Sequence, residues 1–529
     1  MLLEGSLGHA VVARVAELFT DGTPWTQRQW QSGTLDALRH LQALVANGGR
    51  EGAKGWALGH LRGQVASDPF IPGNDRGAIL KVLSVKPEKL TPVSHAARML
   101  GELEGQLTED YWTWATEYCE SLDDTKQVAD SAPSADELAW RLAAHLRSSG
   151  LSGGWIVNFA NFQMKFETTS QRLADVISSA RRTARAGSGR WVFVIPLQSR
   201  RGFNIPTNDT FLTPRDFEIQ FAELFPRHEM PPNRGGLRFT VDAVDKYAAI
   251  EGASRSLAAL LERHRSSGTK RTLMPSATAW VDPGEWTIGL LHASMSRFRF
   301  SELDAGGGSA VFTTLSDELE ASIDLLLSAN YASERSAVVT SWSALETLFA
   351  DESDYGDLSV VADRAATILT CIYVRDAFER LAIGHSRNAS DDLAERLRSA
   401  DVSRRAQLIS EAIAANRSLS VNRVLGAVAV RRAADIAVPS ILASQAQISN
   451  ALRRLYDVRN QVVHAGVVEP YGLPVTLGNA VSLLSAVVNE TISYYRRTGG
   501  EARQLAARSR WLLTRASEDV AEPSTLAGL

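Results

Sequence analysis

The sequence predicts a multidomain α+β protein: a helical N-terminal region over about residues 1–130, a central α/β domain of strand-helix-strand units over about 134–303, and an all-α C-terminal bundle over about 310–529. Three observations predict this. Apolar residues recur at helical spacing in the first part, with Leu35, Leu38, Leu41, Leu44 and Val45 on one stripe. The middle switches to short β-branched and aromatic runs, of which Trp191-Val-Phe-Val-Ile195 is the most compact. Helical spacing returns beyond Gly306-Gly307-Gly308, a composition suited to a flexible joint.

In the N-terminal region the Leu35 stripe is followed by a second helical run from His95 to Ser121, and Pro69, Pro72, Pro87 and Pro92 punctuate the chain between them. A polar linker from Gln127 to Pro133 leads into Ser134-Ala-Asp-Glu137. Its capping-box spacing opens a helix that runs to His145 or beyond. Trp155-Ile-Val-Asn-Phe159 and Phe162-Gln-Met-Lys-Phe166 alternate with period two and read as strands, followed by a helix over 170–185 and a strand at Trp191–Ile195. After Pro231-Pro232 a second unit of similar shape appears: a strand at Leu237–Val241, a helix over Ala248–His264 and a strand at Thr278–Val281. The two units together suggest one mixed sheet with a duplicated origin. In the C-terminal part, residues 385–450 read as inserted helices, with apolar spacing at Ala406, Leu408, Ile409, Ala412 and Ile413 and a break at Pro439. A basic tail helix carries Arg503, Arg508, Arg510 and Arg515, and its Leu505, Trp511, Leu512 and Leu513 suggest packing first and binding second.

The chemistry concentrates in Tyr456-Asp-Val-Arg-Asn-Gln-Val-Val-His-Ala-Gly466. Arg459 is a permanent cation and His464 a proton carrier near neutral pH. The spacing proves little alone, because Arg380 and His385 repeat it without comparable surroundings. Here Tyr456, Asn460 and His464 fall on one helical face, backed by Leu452, Leu455, Val458, Val462 and Val463, and Gly466 is placed to end the helix in a left-handed cap.

These residues resemble the HEPN domain family, in particular the Apea-like group found in bacterial anti-phage defence proteins. Arg459, Asn460, His464 and Gly466 match its signature of arginine, polar residue, apolar residues, histidine and glycine. Ser341-Trp-Ser-Ala-Leu-Glu-Thr-Leu-Phe349 is similar to the family's first bundle helix, and Ala362-Asp-Arg-Ala-Ala-Thr-Ile-Leu369 to the next. The resemblance covers roughly residues 320–498, and the stretch 385–450 departs from compact members. It implies a metal-independent endoribonuclease with Arg459, Asn460 and His464 as catalytic residues, working as a homodimer through the C-terminal bundle. Glu346 then lies on a helix facing the motif, either orienting Arg459 or His464, with Tyr456 beside them, or standing as an ordinary helix carboxylate. The alternative is a catalytically inactive bundle used for dimerisation or for nucleotide or partner binding.

Composition sets the limits. The 529 residues are 44% hydrophobic and 22% charged with a net charge of −4, so RNA contact has to come from local patches rather than bulk attraction. Arg181, Arg182 and Arg185, with Arg172, Arg190, Arg200 and Arg201 nearby, form one candidate RNA-binding stripe. Only Cys119 and Cys371 occur, without partners at ligand spacing, which predicts a cytoplasmic protein with no metal and no cofactor. No apolar run suggests a membrane helix. Gly150-Leu-Ser-Gly-Gly154 fits the hydrolase elbow pattern but is expected to follow a helix and precede a strand, the reverse of an elbow. No phosphate-binding or dinucleotide glycine motif is complete. The N-terminal and central parts are expected to sense a phage-derived or regulatory trigger, or to restrain the nuclease.

Overall fold

The computed structural model describes residues 7–20, 24, 30–121, 134–163, 171–199, 207–267, 273–284, 286–289, 297–304, 314–330, 332–354, 357–421, 438–467, 469–517 and 526. The architecture is α+β and dominated by helices, with one small antiparallel sheet. The polar linker, the second proposed strand beyond Gln163 and the triglycine joint lie outside the described residues.

The first layer is helical. Helices α1 (Leu7–Glu17), α2 (Thr34–Ala46), α3 (Glu51–Ser67), α4 (Gly73–Val82) and α5 (His95–Ser121) bury the Leu35 stripe completely. Helix α6 (Ala135–Ser148) starts as its capping spacing predicts, the Glu137 N–H donating to Ser134 Oγ over 3.1 Å. Its apolar side does not turn to the central domain. Leu138, Ala139, Leu142 and Leu146 join the same core as α1 to α5, as do residues of α7 (Gly153–Gln163) and α8 (Gln171–Arg185). The apolar core of the N-terminal region therefore runs on to about residue 185, past the 130/134 boundary drawn from the sequence.

Helix α7 corrects the strand proposed at Trp155–Phe159. In that run apolar side chains occupy positions i and i+4 as well as alternate positions, and the helical reading wins because Ser152 caps it. The Trp155 N–H donates to Ser152 Oγ, and Trp155 and Phe159 stack one turn apart with ring centroids 4.8 Å from each other. Gly150–Gly154 thus joins two helices, and Ser152 is engaged by Asp245, to which it donates both its N–H and its hydroxyl at 2.8 and 2.7 Å.

The sheet comprises β1 (Gly189–Ser199), β2 (Phe211–Leu212), β3 (Gly236–Ala243), β4 (Met274–Pro275), β5 (Thr278–Asp282) and β6 (Trp286–Gly289), in the order β2-β3-β1-β5-β6 with β4 beside one end of β1. Every pairing among the described residues is antiparallel, so the mixed sheet expected from the sequence is not what they form. The second strand-helix-strand unit is present as β3, α10 (Lys246–Ser266) and β5, whereas its proposed duplicate is two helices and a strand. β1 is apolar on both faces because it is covered on both. Phe193, Ile195 and Leu197 pack with α10, and Val192 and Val194 with Phe217 and Phe221 of α9 (Pro214–Leu224).

The C-terminal core is the largest. It follows the short α11 (Ser301–Asp304) and contains α12 (Asp317–Ala329), α13 (Glu334–Phe349), α14 (Ser359–Asn388), α15 (Asp392–Ser399), α16 (Val402–Ala414), α17 (Val438–Val463), α18 (Leu473–Thr498) and α19 (Ala502–Ser517). The helices proposed at 341–349, 362–369 and 406–413 are all present. Pro439 does not break the chain. It falls in the first turn of α17, where its missing N–H costs nothing, so the motif helix begins inside the segment counted as an insertion. α18 has the length and apolarity to cross a membrane, with a mean hydropathy of 1.2 over its best window. Of that window 61% is buried inside the bundle, and its Glu490 pairs with Arg375 of α14.

Candidate active site

Helix α17 carries the motif from Tyr456 to Val463, and His464, Ala465 and Gly466 follow directly in the turn that leaves it. Leu452, Leu455 and Val458 are buried in the bundle as predicted, but Val463 is 46% exposed and so is not part of the apolar backing. The helix ends at Val463, and Gly466 takes φ +64° as a left-handed cap, letting the Val467 N–H reach back to the Gln461 carbonyl. His464 is the first residue past the last helical turn and is exposed, while Arg459 and Asn460 are half-buried.

Within this turn Arg459 meets both of the other residues named with it, Asn460 and His464. Its Nη1 donates to Asn460 Oδ1 at 3.0 Å and to His464 Nε2 at 2.9 Å. An arginine N–H can donate to Nε2 only when that nitrogen carries no proton, so this is the Nδ1–H form of the imidazole. Arg459 Nε is buried without a hydrogen-bond partner, which leaves the guanidinium only partly satisfied by the fold. The matched spacing at Arg380 and His385 gives no such pair. His385 is buried, with Nδ1 accepting from the Ser420 N–H at 2.9 Å and Nε2 at 3.1 Å from Asp391, and Arg380 pairs with Asp376.

Two supporting assignments are corrected. Glu346 does not reach Arg459 or His464 by any hydrogen bond or ion pair among the described residues. Its Oε1 accepts from Trp342 Nε1 at 2.6 Å, one turn back on α13. Tyr456 packs on that same indole with centroids 4.8 Å apart, so it joins α17 to α13 rather than facing the histidine. Of the proposed basic stripe, Arg185 is paired with Glu109, Arg181 is half-buried with its Nε unsatisfied, and Arg182 and Arg190 stand exposed without an ion pair among the described residues.

The opposite face of α17 is held by the N-terminal helices. Arg454 donates to Asp36 Oδ2 at 2.6 Å, to the Asp36 carbonyl at 3.1 Å and to His40 Nδ1 at 3.2 Å. His40 Nε2 lies 3.2 Å from Asp457, Asn47 donates to Gln461 at 3.2 Å, and the Tyr471 hydroxyl donates to Asp36 at 3.2 Å. A second group continues it. Trp56 donates to Asn450 Oδ1 at 3.0 Å, Asn450 donates to His60 Nδ1 at 2.6 Å, and His60 Nε2 lies 2.7 Å from Ser32 Oγ. Burial alone would raise the Asp36 carboxyl, but the charge and hydrogen bonds of Arg454 override it and hold it at about 2.

Three imidazoles withdrawn from water, with His40 and His145 buried and His60 half-buried, give the chain a predictable acid sensitivity. Burial pushes His60 and His145 down to about 3 and lowers His40, against the pull of Asp457 on the last. Unfolded histidines titrate near 6.5, so below that pH the unfolded chain takes up protons that the native chain refuses. Stability is complete above pH 6.5 and falls toward pH 3, by up to about 1.4 kcal/mol per pH unit for each of His60 and His145. Thermal unfolding should therefore shift to lower temperature between pH 7 and pH 5. His145→Phe, which also removes an unpaired buried Nε2 stacked on Tyr111, is expected to flatten that dependence; an unchanged profile would show that His145 titrates normally.

Cys119 and Cys371 are both buried, and burial pushes both thiols up to about 12. Among the described residues no three histidine, cysteine or acidic side chains converge as metal ligands. Compared with protein-family models, with known proteins and with solved structures, the chain matches none.

Proposed function

We propose that the chain is a metal-independent endoribonuclease of the HEPN type, acting in anti-phage defence or as a regulated toxin. The observation that carries this reading is the Arg459–His464 pair: a guanidinium and an unprotonated imidazole nitrogen 2.9 Å apart at an exposed helix end. RNA supplies its own nucleophile. A base takes the 2′-hydroxyl proton, the 2′-oxygen attacks phosphorus, the bond to the 5′-oxygen breaks, and an acid protonates that oxygen. His464 is suited to the first role, once phosphate draws Arg459 away from its Nε2. Arg459 then offsets the charge gathering on the phosphoryl oxygens, and Asn460 orients the guanidinium.

One imidazole does not serve both proton transfers at once. A homodimer that sets two motifs face to face supplies the second, and the exposed Val463 beside His464 offers apolar surface for it. The N-terminal helices grip the same α17 that bears the motif, giving a trigger-sensing region a direct mechanical hold on the site. The alternative, a catalytically silent bundle, is favoured by one observation: Glu346 and Tyr456 are used for packing around Trp342.

The products decide between them. Incubation with total RNA in EDTA should yield fragments whose 5′ ends accept phosphate from polynucleotide kinase directly and whose 3′ ends carry a 2′,3′-cyclic phosphate. Ends bearing 5′-phosphate, or activity abolished by EDTA, would point to a metal nuclease and sink the proposal.

A further inference from the structure

Helix α19 runs Ala502–Ser517 with four arginines and no carboxylate. Its inner face is conventional: Leu505, Ala506, Ser509, Leu513 and Ala516 are buried, and the Ser509 carbonyl lies against Cys371 of α14. The outer face is not. Trp511, assigned to packing from the sequence, stands 62% exposed. On a helix the positions three before and four after Trp511 share its face, and both are arginines, Arg508 and Arg515. Arg510 is exposed on the other flank. Neither Arg510 nor Arg515 makes an ion pair among the described residues, while Arg503, near the start of the helix, is 3.6 Å from Glu501.

We propose that this face of α19 binds single-stranded RNA, Trp511 stacking on an unpaired base and Arg510 and Arg515 holding the flanking phosphates. That combination, an aromatic platform between cations, is what sequence-tolerant binding of single strands requires, since every base has a π-face and every nucleotide a charge. An anionic membrane surface fits less well, because the helix's apolar side is already spent inside the bundle and a single indole remains for insertion. The chain's net charge of −4 makes this local excess of positive charge all the more selective for where a strand lands. That the ligand is RNA rests on the nuclease reading above; the face itself does not.

The test uses the full chain and a fluorescent 2′-O-methyl oligonucleotide of about 12 residues, which offers no 2′-hydroxyl to cleave and is long enough for one stacking platform and its flanking charges. Fluorescence anisotropy should show Trp511→Ala weakening binding roughly tenfold and Trp511→Phe retaining most of it. Arg510→Gln with Arg515→Gln should lower the slope of log affinity against log salt by about 1.4, since each phosphate that an arginine neutralises on a single strand adds roughly 0.7 to it. Three results would overturn the proposal: equal binding by Trp511→Ala and parent, binding of phosphatidylserine vesicles in place of the oligonucleotide with the same variant dependence, or a change in oligomer mass on Trp511→Ala. If the face binds but the parent cleaves no RNA, the nuclease reading fails alone; if RNA is cleaved equally well without Trp511, this inference fails alone.

Discussion

His464→Ala is expected to lower the initial rate of RNA cleavage by about 10²- to 10⁴-fold, the range typical of losing a positioned proton-transfer group. Arg459→Ala should cost about 10²- to 10³-fold, comparable to removing one donor to a developing oxyanion. The 2.9 Å hydrogen bond between them motivates both. Arg459→Lys should not rescue, because a lysine ammonium cannot hold Asn460, the imidazole and a phosphate with one planar fork. Arg459 is half-buried, so the variants' melting temperatures belong beside their rates. Parental cleavage by either alanine variant, with folding intact, would remove these residues from the mechanism.

The second large effect concerns Arg454. It is 8% exposed and pairs with Asp36, which is 9% exposed. Removing one member strands the other charge in a nearly dry site, at a cost of about 3–5 kcal/mol. Arg454→Ala should therefore loosen the junction between α2 and α17, measured as faster amide exchange in residues 34–46 and 450–463, with a lowered melting temperature. Asp36→Leu combined with Arg454→Met replaces both charges with apolar groups and should recover most of the stability, as replacing buried ion pairs often does. A double variant as unstable as Arg454→Ala would mean that the hydrogen bonds to the Asp36 carbonyl, His40 and Tyr471, rather than the charge pair, hold the junction.

Much of this was legible in the chain. The Leu35 stripe, the run from His95 to Ser121, the Ser134 cap and the β3-α10-β5 unit each follow one clear period or one clear capping residue. The Gly466 cap and the Arg459–His464 meeting are likewise local, decided within one turn of helix. Trp155–Phe159 failed because its apolar residues satisfy both periods, and the deciding hydrogen bond comes from Ser152 just outside the run. Trp511 reads as packing by its residue type, although helical spacing sets it about 120° to 160° around the helix from Leu505 and Leu513, on the side that carries Arg508 and Arg515. The Arg454 junction was out of reach for another reason. His40 and Asp457 stand 417 positions apart, and no periodicity links residues at that distance.

The polar flank of α17 has a practical corollary for dissecting the chain. A fragment carved out at about residue 310 would retain Arg459 and His464 yet present Asn450, Arg454, Asp457 and Gln461 to bulk solvent, each deprived of the side chain it now answers to. Swapping the motif-bearing bundle into another scaffold meets the same obstacle: the graft would have to import the matching surface of α2 and α3 along with it. Harmlessness of such a fragment in a cell would say little about the intact protein.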